Sequence, residues 1–293
     1  MSSAQLYDTI GATYTVTRCT EPRIAAQIWA ALGDARTVLN VGAGTGSYEP
    51  PERYVLAVEP SVLMRRQRPP DAAPCLAGSA ENLPFSDQSI DAAMAVCTLH
   101  HWQDPMAGLR EMRRVARRVV VFLFDTSDPS LFWLNRDYLP EFAALRVVRV
   151  LASVSDLAGA IGARLESVPI PWDCADGFYE AYWRRPEAYL DEHVRRGVSV
   201  WDGLGPDVEQ RAVRSLGGDL ASGRWAERNH EILDLDAAEL GARLLIAWRR
   251  RQRCAPVAVA TTSSRRRAGH RSSSERTWKG GRSDLLGSVG AAH

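Results

Sequence analysis

The stretch VLNVGAGTGSYE, Val38 to Glu49, constrains this chain more than any other, because a short apolar run passes directly into closely spaced glycines. Val38, Leu39 and Val41 read as a strand covered on both faces, as in a parallel sheet flanked by helices, and a helix is expected after the glycines. Gly42, Gly44 and Gly46 are separated only by Ala43 and Thr45. Lacking a Cβ, glycine reaches positive φ and lets its N–H lie against a molecule bound at the carboxyl end of the strand. The spacing is G-x-G-x-G, whereas the dinucleotide fingerprint is G-x-G-x-x-G, whose last glycine sets helix packing beneath a pyrophosphate. Ser47 stands at that last position. The ligand expected is nucleoside-like and carries no pyrophosphate.

A second strand is expected at Tyr54 to Val58, ending in Glu59, thirteen residues after Gly46. A carboxylate there can accept hydrogen bonds from both hydroxyls of a ribose. A third strand, about Ala73 to Leu76, leads into GSAENLPF, and a fourth, Ile90 to Val96, leads into CTLHHW. With these motifs in order, the chain resembles the class I S-adenosylmethionine-dependent methyltransferases, and within them the type 11 group, which includes quinone-pathway and secondary-metabolite enzymes. The resemblance covers about Tyr7 to Trp248. It implies an α/β, Rossmann-like, seven-stranded and mostly parallel sheet with helices on both faces. It also implies S-adenosyl-L-methionine as cofactor, held by Tyr14, Arg18, Asn40, Gly42, Ala43, Gly44, Gly46, Glu59, Pro60, Met64, Ser79, Ala80, Glu81 and Cys97.

Some of these positions depart from the family pattern. Asn40 stands two residues before the first glycine, where an acid is frequent, and can still accept a hydrogen bond. Ser79 stands where an acid often accepts from the adenine amine, a contact its hydroxyl or nearby backbone would have to replace. In related enzymes a segment ahead of the first strand folds over the cofactor. That would bring Tyr7 and Tyr14 near the sulfonium and Arg18 near a carboxylate, by cation–π attraction and a forked donor. The alternative is that the rings pack in the core and Arg18 pairs with a surface acid. Met64 packs under an adenine or simply in the core.

At 293 residues the chain suffices for one α/β domain with an insertion, or for two small domains. No apolar run reaches the span of a bilayer, and the first residues carry neither a basic region nor an apolar core for export, so a cytoplasmic location is expected. Cys19, Cys75, Cys97, Cys174 and Cys254 are odd in number and contain no C-x-x-C pair, which suggests buried thiols rather than disulfides or zinc. From Arg249 onward eleven basic residues face two acidic ones, leaving 25 basic and 33 acidic in the rest. Residues 249–293 are Arg-, Ser-, Gly- and Ala-rich without apolar period and are expected to be a disordered tail.

The remaining elements follow from periodicity. Ile24, Ile28, Trp29 and Leu32 mark a helix, Ser61 can cap another that stops by Pro69, and Pro105 to Val115 reads as a third. VVVFLFD, Val119 to Asp125, is a fifth buried strand. Ser155 is placed as the cap of a helix from Asp156 to about Ala163, Leu165 to Ile170 as a sixth strand and Leu244 to Trp248 as a seventh. By resemblance the seventh lies antiparallel between the fifth and sixth. Two segments, about 126–152 and 172–239, are too aromatic to be simple crossovers. The second includes FYEAYWRRPEAYL, with Phe178, Tyr179, Tyr182, Trp183 and Tyr189 at helical spacings. These rings either line a substrate pocket or hold a helical cap to the sheet.

His100 and His101 follow the fourth strand at the sheet edge where ligands bind in open α/β folds. His101 ahead of His100 is the candidate base for a hydroxyl or amine attacking the methyl group; a structural corner is the other reading. No His and carboxylate cluster at metal-ligand spacing is seen. The function expected is methyl transfer to a small-molecule acceptor, in secondary metabolism if the resemblance extends that far. Alternatives are an S-adenosylmethionine-binding regulator or subunit without turnover, and a nucleic-acid methyltransferase. The latter would show D/N-P-P-Y/F after the fourth strand, where CTLHHW stands.

Overall fold

The structure, a computed structural model, describes residues 18–145, 148 and 154–248. Tyr7, Tyr14, Cys254 and the tail 249–293 lie outside the described residues. Seven strands form one sheet in the order β3-β2-β1-β4-β5-β9-β6. These are β1 Thr37–Val41, β2 Tyr54–Val58, β3 Cys75–Leu76, β4 Ile90–Val96, β5 Ala116–Phe124, β6 Arg164–Ser167 and β9 Ala242–Trp248, while β7, Ile170–Pro171, and β8, Ala237–Ala238, form a separate two-stranded sheet. The first five pair in parallel, and β9 runs antiparallel between β5 and β6. β1 and β4 are neighbours although β2 and β3 intervene in sequence, so the crevice between their carboxyl ends is the topological switch point.

Both sheet faces are covered. On one, helix α1, Pro22–Ala31, inserts Ile24 and Ile28 against Val38, Ala92 and Val120. On the other, helices Pro105–Val115 and Val154–Ile161 bury Leu109, Met112 and Leu157 with Leu39, Ala93 and Val121. α1 begins at Pro22 because Glu21 caps it, its carboxylate accepting from Arg23 N–H at 3.0 Å. Asp104 does the same for Pro105–Val115, accepting from Ala107 N–H at 2.9 Å.

The structure corrects several expectations, each for a local reason. No helix follows the glycines: Gly42 to Arg53 is a run of turns, with Gly42, Gly44, Gly46 and Tyr48 all at positive φ and Pro50 and Pro51 lacking donors. β3 is only Cys75–Leu76, because Pro74 cannot donate to the ladder. β5 starts at Ala116 as the preceding helix ends, since β4 offers Ile90 as a partner opposite Ala116. Ser155 lies inside its helix, which Gly162, at φ +62°, ends at Ile161. The expected sixth strand divides around Pro169: after β6, Ile170–Pro171 leaves the main sheet to pair with Ala237–Ala238.

The cap is helical, but not where the rings suggested. Phe178 to Arg184 runs as tight turns with bonds from Ala181 N–H to Phe178 O, Trp183 N–H to Glu180 O and Arg185 N–H to Tyr182 O. Such turns point the rings around the chain instead of along one stripe. The helices proper are Glu192–Arg196, Ser199–Leu204, Pro206–Ser222 and Arg224–Arg228. Of the thiols, Cys174 alone is buried among the described residues; Cys19 is exposed. No helix among these residues is long and apolar enough to cross a membrane.

Candidate functional site

The carboxyl ends of β1, β2 and β4 open into a cavity of about 290 Å3. Asn40, Gly42, Ala43 and Gly44 come to it from β1, Glu59, Pro60 and Met64 from β2 and its helix, Ser79, Ala80 and Glu81 from the loop after β3, and Cys97 and His101 from β4. Arg18 borders it from the chain ahead of α1. Of the described residues expected at the cofactor, only Gly46 does not line it. It lies behind the loop, near Arg68 and Glu49, where a second groove opens.

The loop keeps its shape for reasons a side chain would spoil. Gly42 has φ +68°, and a Cβ there would stand 2.2 Å from Thr98 Oγ1. Gly44 has φ +52°, and its Cβ would meet only Met64 Cε, at 3.4 Å. Backbone therefore forms the wall. Glu59 faces it, buried, its Oε2 accepting from Gly44 N–H and its Oε1 from Ser61 N–H, both at 2.9 Å. Burial raises its pKa and the two N–H groups oppose that. Each oxygen keeps a lone pair for a further donor, as a ribose diol would supply.

Behind the loop, Asn40 donates to Glu49 Oε1 at 3.0 Å, and Arg68 grips both Glu49 oxygens at 2.8 and 3.0 Å while donating to Gly44 O at 3.3 Å. Asn40 thus serves the loop as a donor through its amide nitrogen. The chain has brought an acid and a base from elsewhere to brace the turn.

Arg18 pairs with Asp176, Nε to Oδ1 at 2.7 Å, and this acid is buried instead of on the surface. Asp176 also accepts from Tyr48 O–H at 2.8 Å, Cys19 N–H at 3.2 Å and Gly177 N–H at 2.8 Å. One carboxylate so ties the leading segment, the end of the glycine loop and the cap together. Tyr48 holds φ +65° and Cys97 φ +51°, two of three non-glycine residues at positive φ among those described, and both line the cavity.

A smaller chamber of about 90 Å3 adjoins, and Arg18, Cys97 and His101 line both. Its walls are otherwise Phe124, Phe142, Phe178, Tyr179, Val198 and Val200, with His100, Thr126, Ser199 and Glu180 as polar groups. His100 belongs to this chamber alone. Its ring lies 3.7 Å from that of His101, and burial together with the Arg18 charge pulls its pKa down to about 4. Burial pushes the Cys97 thiol up to about 12 and Glu180 up to about 8. At neutral pH His100 is therefore uncharged and Cys97 a thiol.

Of the rings expected in a pocket, Tyr179 is in the chamber wall, stacked on Phe142 at 5.3 Å and donating to Asn135 Oδ1 at 2.7 Å. Trp183 is not. It is fully buried, its Nε1–H shared between Ile170 O and Pro171 O and its carbonyl accepting from Trp133 Nε1–H at 2.7 Å. Sequence reasoning missed Tyr48, Asp176 and Glu180. An acid between rings, as in FYEAYW, is the one signal that could have marked Glu180.

A family model for a methyltransferase domain matches residues 39–124. A demethylmenaquinone methyltransferase of Mycolicibacterium paratuberculosis is 31% identical over 160 residues, 52% of this chain and 69% of that protein. An uncharacterized methyltransferase of Mycobacterium bovis is 35% identical over 117 residues, 36% of this chain and 47% of that protein. A solved structure from Anabaena variabilis, described as a methyltransferase from an antibiotic biosynthesis pathway, is similar with a TM-score of 0.71 and 30% identity. It covers 78% of this chain and 98% of its own, so the likeness runs well beyond the glycine-loop half.

Proposed function

This chain belongs to the class I S-adenosylmethionine-dependent methyltransferases of the type 11 group, and from that premise we propose that it methylates a small, flat, largely apolar molecule held in the aromatic chamber. The observation that carries this reading is the seam: Arg18, Cys97 and His101 border both cavities, so molecules in the two meet at the end of β4. Phe142 and Tyr179 lie parallel, 7° apart, and offer a ring face to a flat guest. The two relatives named for a substrate or pathway concern small molecules, a quinone and an antibiotic, which supports the same class and a place in secondary metabolism.

The residues fit the cofactor. Glu59 presents the spare lone pairs of a buried carboxylate, Gly42, Ala43 and Gly44 a wall without bulk, and Met64 an apolar floor beside Gly44. Ser79, Ala80 and Glu81 close the far side, where Glu81 is itself fixed by Gln103 and Asp104 N–H at 2.9 and 3.2 Å. When bound, S-adenosylmethionine supplies an electrophilic methyl group on a sulfonium centre. The chain's task is then alignment: fixed walls hold the acceptor's nucleophile in line, which lowers a barrier by several kcal/mol. The buried rings keep water from competing.

The test is transfer of a radiolabelled methyl group from S-adenosylmethionine to one-ring and two-ring phenols, quinols and arylamines, with duplex DNA and transfer RNA alongside. Label should move to a flat aromatic acceptor. Label on nucleic acid alone would overturn the reading.

A further inference from the structure

Among the described residues Glu180 is the one carboxyl group lining the aromatic chamber, and the hydrogen bond its side chain receives comes from its own backbone, with no other side chain donating to it. It is 7% exposed, and a carboxyl group that deep costs free energy unless something meets it. Its position is rigid. On one side Tyr179 is fixed through Asn135 and through its carbonyl, which accepts from Tyr189 O–H at 2.6 Å; on the other Trp183 is locked to Ile170, Pro171 and Trp133. A carboxyl group so held, and met by no other side-chain donor, has lone pairs to offer a guest in the chamber it lines.

Resting on the chamber being the acceptor site, we propose that Glu180 is the group that receives the acceptor's proton, and that the acceptor presents an aromatic hydroxyl to it. The O–H bond of the acceptor breaks and its proton passes to the Glu180 carboxylate. The oxygen's electron pair forms the new bond to the methyl carbon, whose bond to sulfur breaks with the pair staying on sulfur. The products are an aryl methyl ether, a neutral carboxylic acid and a neutral thioether. Burial favours the neutral acid over the carboxylate, so proton uptake is downhill in this site.

His100 serves this role less well. His100, already pulled toward the neutral form beside Arg18, would have to become a second cation there. The groups that face Glu180 are Arg18, held by Asp176, then Cys97, His100 and His101 from the end of β4, Tyr179 on its own turn and Tyr189 from the next. The β5 end and residues 197–200 contribute no ionisable side chain to the wall. Arg18 favours the carboxylate and burial disfavours it, with the outcome near pH 8. Activity that needs the carboxylate is then present above this pH and lost as pH falls through it.

Two one-ring phenols decide the matter. 4-Methylphenol holds its proton to about pH 10, like tyrosine, and needs a base. 4-Nitrophenol ionises near neutral pH and does not, and its colour reports binding without turnover. Glu180→Gln keeps the shape and a hydrogen-bond acceptor but takes no proton. It should bind both phenols within a few-fold of wild type, methylate 4-methylphenol about 100-fold more slowly, as loss of a general base does, and lose the inflection near pH 8. With 4-nitrophenol the loss should shrink to a few-fold. Glu180→Asp should slow methylation of 4-methylphenol, because the shorter side chain reaches less far, and keep the inflection. Equal losses on the two phenols, or an unchanged pH profile in Glu180→Gln, would overturn the role of Glu180 while leaving the chamber reading intact. Wild-type enzyme that binds neither phenol, or binds and methylates neither, would overturn the chamber reading and this inference with it.

Discussion

Around Gly44 the walls are main chain, held by Glu59 and Arg68, and a cavity of about 290 Å3 is left because glycine occupies almost none of it. Around Tyr179 the walls are side chains, and about 90 Å3 is left where rings from four separate stretches of chain, at His100–His101, Phe124, Phe142 and Phe178–Tyr179, fail to meet. The first cavity is built mostly by residues at the ends of four strands. The second depends on partners far apart: Tyr179 on Asn135, Trp183 on Trp133 and Ile170, Tyr138 on Asp219. The lesson is one of tolerance. A main-chain wall admits no side chain within it and depends on the few groups that brace it from behind, whereas a wall of rings can be resized wherever a ring is not also a strut.

That contrast can be broken at its struts. Trp183→Ala should cost about 3–5 kcal/mol of stability, as large-to-small changes of a buried aromatic do, because it empties a fully buried site and frees two carbonyls. Denaturant unfolding would measure it. A loss below about 1 kcal/mol would mean the cap does not depend on its anchor.

The seam between the cavities gives the next effect. Asp176→Asn leaves Arg18 without its buried anion, and removing one partner of a buried pair costs about 3 kcal/mol. Since Arg18 borders both cavities, cofactor affinity and acceptor turnover should fall together. Calorimetry beside a methyl-transfer assay checks this, and loss of one without the other would separate the two regions.

Glu59→Ala should have the smallest and most local effect. Loss of a charged acceptor for two buried hydroxyls weakens S-adenosylmethionine binding by about 2 kcal/mol, with the chamber unaffected. Calorimetry that finds unchanged affinity would remove Glu59 from the cofactor site.

How far each region could be read ahead of the structure follows the same division. β2 and β4, the helix Pro105–Val115 and the place of Glu59 after its strand were all legible, since each rests on periodicity or on a residue next to a strand end. So was the antiparallel β9 between β5 and β6, through the family resemblance. The helix expected after Gly46 was not there, because Tyr48, Pro50 and Pro51 turn the chain straight to β2. The helix expected through Phe178 to Trp183 failed for a related reason: ring spacing alone cannot tell a helical stripe from a train of tight turns.

By itself, then, the sequence determined the buried parallel strands, the glycine turn and the acid opposite, because short-range sterics and the burial of continuous apolar runs decide these within a few residues of one another. Only the tertiary structure decided that Asp176 holds Arg18, that Trp183 is an anchor while its neighbour Tyr179 is a wall, and that Glu180 stands buried in an aromatic chamber that Arg18 also borders. Those outcomes depend on which distant surfaces come together, and burial turns an ordinary letter in the chain into a charge that must be answered.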